Sequence, residues 1–146
     1  MAKSGCRLEW NGLDKVLASA SRKLASVEDE LLASIGEALV SSTTKRFMDE
    51  RGPDGKGWKP SQRAATTGGK TLTDTGRLRN SIDYATARGK VMVGSNVRYA
   101  RIHQLGGKTG RGHKVNMPAR PYLGFSKADL EEVKGTIAHF LARAFK

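Results

Sequence analysis

The stretch S-I-D-Y-A-T-A-R-G-K-V-M-V-G-S-N, residues 81–96, decides the fold class. Its two halves, 81–88 and 90–96, alternate or bunch their apolar residues in the manner of strands. Between them Arg88-Gly89-Lys90 is a tight-turn signal. The pair reads as an antiparallel β-hairpin of about 81–96.

Outward from the hairpin the pattern changes to helical spacing. Upstream, CRLEW (6–10) alternates weakly and reads as a short strand. Asn11 or Asp14 can cap a first helix with Leu13, Val16, Leu17, Ala20 and Leu24 on one face. A second, longer helix starts near Ser26, with Glu28, Asp29 and Glu30 in a first turn whose dipole favours them. Its stripe is Val27, Leu31, Leu32, Ile35, Leu39 and Phe47; Lys45, Arg46 and Arg51 suit its carboxyl end, and Gly52-Pro53 stops it. Thr73 or Asp74 can cap a short helix, TGRLRNSI. Downstream, V-R-Y-A-R-I-H-Q-L-G (97–106) places Tyr99, Ile102 and His103 on one helical face and ends on Gly106, a C-cap residue. MPARPYLGF (117–125) is extended, as its two prolines require. Ser126 caps a last helix striped by Leu130, Val133, Ile137, Phe140 and Leu141.

This outline is a single α+β domain over 1–146, with two N-terminal helices and a C-terminal helix on a small antiparallel sheet. Residues 1–25 form an arm and the first helix. Two stretches, 52–70 and 107–117, are rich in glycine and bases and lack periodicity, and read as flexible loops. Loops of that length in a small domain tend to be functional or disordered. Trp58 is the anchor of the first.

Charge is distributed unevenly. The chain carries a net +12, yet residues 55–128 hold 15 bases against Asp74 and Asp83, a net of +13, so the remainder sums to −1. The basic region must face something negative: nucleic acid, an acidic protein, or an acidic neighbouring subunit. No apolar run approaches the roughly 20 residues of a membrane span, and the amino terminus lacks the apolar core of a secretory signal. The single Cys6 excludes an internal disulfide framework and suits a reducing cytoplasm.

The chemistry-bearing side chains form no catalytic pattern. His103 and His113 have no carboxylate or cysteine nearby to complete a metal shell, and His139 lies in the last amphipathic helix. Asp74 and Asp83 are the only carboxylates of the middle region, and Asp74 is better explained as a cap. GKTGRG has the residue types of a phosphate loop at the wrong spacing. The expectation is a protein that is not an enzyme and has no cofactor, metal, membrane partner or small-molecule substrate. Nucleic-acid binding remains the alternative on charge grounds, although Trp58, Tyr84, Tyr99 and Tyr122 show no interleaved stacking pattern.

Four motifs occur in order. They are P-D-G-x-x-W (Pro53 to Trp58), L-x-D-T-G-x-L-x-x-S-I (Leu72 to Ile82), V-G-S-x-x-x-Y-A-x-I-H-Q-L-G-G (Val93 to Gly107) and P-A-R-P-Y-L-G (Pro118 to Gly124). In this order the chain from about Leu31 onward resembles the phage virion morphogenesis family, the small tail-completion proteins of Mu-like and related long-tailed phages. Leu105 stands where Phe is frequent, a conservative exchange.

The resemblance implies a structural role in finishing the tail, or the neck where head meets tail, with the chain acting as a homo-oligomeric ring and a hexamer suggested by tail symmetry. The implied partners are its own copies, the tail tube or tail terminator, neck or connector proteins, and non-specifically the phage DNA. The implied location is the virion, after assembly in the host cytoplasm. Asp74, Gly76, Tyr99, His103, Gln104, Gly106 and Pro121 are expected to be structural. Tyr99 and His103 should pack inward, Gln104 should bond a neighbouring backbone, and Gly106 should let the chain leave the helix. Trp58, Arg98, Arg101, Lys108, Arg111, His113, Lys114 and Arg120 are the candidate partner-binding residues, Arg120 through a carboxylate pair.

Overall fold

The computed structural model describes residues 7–9 and 25–145. The first expected helix, over 13–24, and Cys6 lie outside them. The axis of the fold is α1, Ala25–Asp49. Leu31, Leu32, Ile35, Leu39 and Phe47 are buried along it, recurring at the spacing that keeps one stripe inward.

That stripe meets a three-stranded antiparallel sheet of order β1-β3-β2. The hairpin is β2 (Asp83–Ala87) and β3 (Lys90–Gly94), in register from Asp83↔Gly94 to Ala87↔Lys90. β1 (Arg7–Glu9) pairs with the other edge of β3, from Arg7↔Met92 to Glu9↔Lys90. Central β3 buries Val91 and Val93, whereas edge strand β2 is mostly exposed. Where Tyr84 of β2 crosses α1, the helix carries Gly36; a Cβ there would lie 2.3 Å from the Tyr84 ring. Close approach of sheet to helix therefore needs a residue with no side chain.

The final helix, α5, spans Lys127–Ala144 and also packs on α1. It starts with a capping box: Ser126 Oγ accepts from the Asp129 N–H at 3.0 Å, and the Asp129 carboxylate accepts from the Ser126 N–H at 2.8 Å. Val133 and Phe140 are buried and Ile137 and Leu141 partly so, but Leu130, expected in the same stripe, is exposed. Asp129 takes the inward position instead, and one residue further on the helix has turned by about 100°.

Between these elements lie short ones: α2 (Gln62–Thr67), α3 (Arg77–Asn80), α4 (Ala100–Leu105), β4 (Gly107–Thr109) and β5 (Val115–Met117). Two correct the sequence reading. The stretch 52–70 contains α2, capped by Ser61, whose hydroxyl accepts from the Ala64 N–H at 3.1 Å. Only Ala64 of α2 is buried, so no apolar period marks it in the sequence. The stretch 107–117 is a hairpin, β4 pairing with β5 from Gly107↔Met117 to Thr109↔Val115, with a 3-10 turn at Arg111–His113 between them. Its faces lie outside the main core, so no alternation betrays it. Among the described residues no helix is long and apolar enough to cross a membrane.

Candidate assembly surface

The segment Pro118–Phe125 has no regular structure, so its backbone groups need partners from elsewhere. Three side chains from outside it supply several of them, and one of its own reaches outward. Gln104, from α4, accepts the Tyr122 and Leu123 N–H groups on Oε1, each at 3.0 Å, and donates Nε2–H to the Leu123 carbonyl at 3.1 Å. Trp58 donates its indole N–H to the Pro121 carbonyl at 2.8 Å. Arg46, from α1, donates to the Tyr122 and Gly124 carbonyls at 2.9 and 3.0 Å. Arg120 points the other way, its Nε donating to the Lys59 carbonyl at 2.6 Å and its Nη2 to that of Pro60 at 3.4 Å. The extended strap thereby joins α1, α4 and the 52–60 turn.

Beneath the strap sits an aromatic cluster. Phe47 meets Trp58 edge to face at 5.5 Å and Tyr122 at 5.2 Å. Tyr122 is fully buried and donates its hydroxyl to the Ala100 carbonyl at 2.8 Å; burial pushes its phenol pKa up to about 12. Trp58 is 8% exposed and Arg120 4% exposed. Both of these candidate partner residues are thus occupied within the chain, and Arg120 is held by carbonyls rather than by a carboxylate.

Arg46 also forms a buried ion pair with Asp129, whose other oxygen accepts from Ser42. Burial on its own would raise the Asp129 pKa. The hydrogen bonds from Ser42 and Ser126, together with the Arg46 charge, outweigh it and hold the carboxyl below the ordinary range. Sequence reading missed this pair, although the S-x-x-D pattern of a capping box is visible at 126–129.

Helix α4 carries the YARIHQLGG motif. Tyr99 stands at its N-cap, 40% exposed, and not inward as expected, because α4 begins only at Ala100 and that residue takes the buried position. The Tyr99 ring meets the half-buried His103 ring edge to face at 5.8 Å. The His103 carbonyl accepts the Arg120 N–H at 2.8 Å. Burial first, and the Arg120 charge second, lower the His103 pKa, so the ring is neutral at pH 7. Gly106 ends α4 at φ 70°, and a Cβ there would lie 2.7 Å from the Ala119 nitrogen. Only glycine fits both the left-handed angle and the strap passing beside it.

Asp74 does not cap α3. It is exposed and pairs with Arg63 Nε at 3.6 Å, while Gly76 occupies the N-cap at φ 77°. Pro121 leaves its ring exposed and contributes its carbonyl to Trp58.

With these residues consumed by the fold, Arg98, Arg101, Lys108, Arg111, His113 and Lys114 stand out, all exposed. They lie beside or on α4 and along the β4–β5 hairpin. Leu105, 61% exposed, and Val115, 52% exposed, lie among them. Gly107 at the hairpin root approaches Ile102 of α4, and Arg120 reaches Met117 Sδ at 3.6 Å; 110–116 is exposed throughout. A two-stranded hairpin is marginal in water without packing on something further. The arrangement offers a cationic, partly apolar projection. Among the described residues no three His, Cys, Asp or Glu side chains gather closely enough to hold a metal ion.

The fold is thus a small α+β body that carries such a projection. The chain belongs to the phage virion morphogenesis family, whose model matches residues 8–142. It is 33% identical over 141 residues to the Mu-like prophage FluMu G protein 2 of Haemophilus influenzae, covering 95% of this chain and 98% of that protein. It is also 33% identical over 119 residues to a G protein of Escherichia phage Mu provisionally named for capsid assembly, covering 75% and 76% of the two chains. The tail completion protein S of Escherichia phage P2 is 28% identical over 146 residues, covering 90% of this chain and 92% of its own. No solved structure matches the chain.

Proposed function

We propose that this protein completes the phage tail at the neck, where head meets tail, as a stoichiometric ring component with no catalytic turnover. The observation that carries the reading is the division of labour among its residues. The motif side chains Trp58, Gln104, Arg120 and Tyr122 are spent within the chain, while the cations of α4 and the β4–β5 hairpin are left exposed. An assembly protein needs a rigid body and a surface free for its partners. The names of the relatives divide between capsid assembly and tail completion, and a neck position suits both. The hairpin then faces an acidic protein surface, on a neighbouring copy or on tail-tube, terminator or connector protein, or the DNA that passes through the neck. The protein is made in the host cytoplasm and ends in the virion.

The test is co-sedimentation of the purified protein with tails from a phage mutant that lacks it, followed by electron microscopy. Stoichiometric density at one tail end is the expected result. Protein that stays in the supernatant and pelleted instead with DNA would replace this reading with that of a basic nucleic-acid-binding accessory protein.

A further inference from the structure

The charge along α1 complements the hairpin. Residues 25–44 contain four acids, Glu28, Asp29, Glu30 and Glu37, and no base. Glu30 and Glu37 are exposed and seven residues apart, hence two turns apart on one face of the helix. Asp29 is exposed beside them. Glu28 is tied inward, accepting the Gly89 N–H at 2.8 Å, which fixes this end of α1 to the β2–β3 turn. Arg88 and Lys90 of that turn offset part of the negative charge.

The cationic hairpin belongs to the opposite end. Its root follows α4, and α4 is clamped through Gln104 to Tyr122, whose carbonyl is held by Arg46. Along α1, Glu30 lies about 24 Å and Glu37 about 14 Å from Arg46. An acidic surface and a basic surface therefore sit toward different ends of α1 on one chain.

We infer that the β4–β5 hairpin of one copy docks on the acidic amino-terminal half of α1 of the next, a head-to-tail contact between unlike surfaces. It deepens the assembly reading above and rests on it. Contacts of this type close into rings when the rotation permits and otherwise continue as filaments. A second copy fits the hairpin better than nucleic acid does. Among the described residues, three of the six exposed large apolar side chains, Tyr99, Leu105 and Val115, lie among its cations. A phosphate backbone rewards the charges alone, whereas a protein surface also covers the apolar groups.

Charge exchange tests it. Three variants are compared with the wild type by sedimentation velocity: Arg111→Glu with Lys114→Glu, Glu30→Lys with Glu37→Lys, and all four together. All four side chains are exposed, and an unchanged circular-dichroism melt confirms that each variant folds. The wild type should associate at about 0.1 M salt and dissociate near 1 M, where screening shortens to about 3 Å. Each double reversal should weaken association by about tenfold or more. The fourfold variant, and an equal mixture of the two doubles, should regain it. A wild type that stays monomeric, an α1 reversal without effect, or a fourfold variant that fails to recover overturns the contact. So does a hairpin reversal that removes DNA retention while self-association is untouched. Tail capture is measured on the same samples. Monomers that still join tails overturn the contact and leave the assembly reading standing; self-association without tail capture overturns the assembly reading alone.

Discussion

Gln104→Ala should loosen the strap that joins α1, α4 and the 52–60 turn. The side chain makes three hydrogen bonds to backbone groups of Tyr122 and Leu123, and among the described residues no other side chain is bonded to those three groups. A hydrogen bond of this kind contributes about 1 kcal/mol net, and a buried group left unpaired costs more. Truncation should therefore cost about 3 kcal/mol, or roughly 10 °C in melting temperature for a domain of this size. Gln104→Glu is the informative companion. It keeps an acceptor for both N–H groups and strengthens those bonds through its charge, but it faces the Leu123 carbonyl with oxygen in place of N–H. Its loss should be about 1 kcal/mol. Urea titration followed by tryptophan emission reads both variants, since Trp58 bonds the same strap at Pro121. The midpoint should fall with the slope unchanged. A loss below about 0.5 kcal/mol for Gln104→Ala, or a glutamate variant no better than the alanine one, would refute the role given to Gln104.

Gly36→Ala raises helix propensity by about 1 kcal/mol, yet it should destabilise by about 1–3 kcal/mol net, because the new methyl meets the Tyr84 ring; adding Tyr84→Ala should turn the same substitution stabilising in a thermal melt. Asp129→Asn breaks the buried pair with Arg46 and should cost about 3–5 kcal/mol. The folded Asp129 pKa lies below its ordinary value of 3.8, so its contribution is present above about pH 4 and lost as pH falls through the folded value; wild type should weaken there in acid unfolding, and Asp129→Asn should weaken less. Tyr122 has the opposite sign. Its folded pKa of about 12 exceeds the ordinary 10.0, so stability should fall as pH rises from 10 toward 12, and Tyr122→Phe should flatten that limb in an alkaline denaturation series while costing about 1 kcal/mol at pH 7 for the lost bond to Ala100. Arg111→Glu with Lys114→Glu should leave the melting temperature within about 2 °C of wild type, since neither side chain is buried, while infectious particle yield collapses; normal yields would refute the role given to the hairpin.

The parts of the fold that were legible are those with a strong local period. The hairpin at 83–94 and the two long helices each repeat apolar residues at the spacing their element demands, and Gly52-Pro53 and Ser126 punctuate them. What escaped has a common physical cause. Helix α2 buries one alanine and the β4–β5 hairpin stands outside the main core, so neither carries the periodicity on which such reading depends. Tyr99 faces outward because α4 begins one residue later than the helical spacing of the sequence suggests. Arg46 and Asp129 look like ordinary helix-terminal charges in the sequence, and only the packing of α5 on α1 makes them a buried pair.

The distinctive motifs of this chain turn out to be concerned with its own architecture. Trp58 and Gln104, 46 positions apart in sequence, converge on one irregular strap and satisfy part of its backbone, while the strap's own Arg120 reaches out to the Lys59 and Pro60 carbonyls. Such a strap tolerates few alternatives at these positions, since each side chain must reach particular carbonyls or N–H groups at hydrogen-bond distance. The exposed side chains of the hairpin, at 110–116, are under no such constraint from the fold. Recognisable motif residues therefore build the scaffold in this protein, and the hairpin that we propose as the main contact surface begins where the third motif ends, at Gly107.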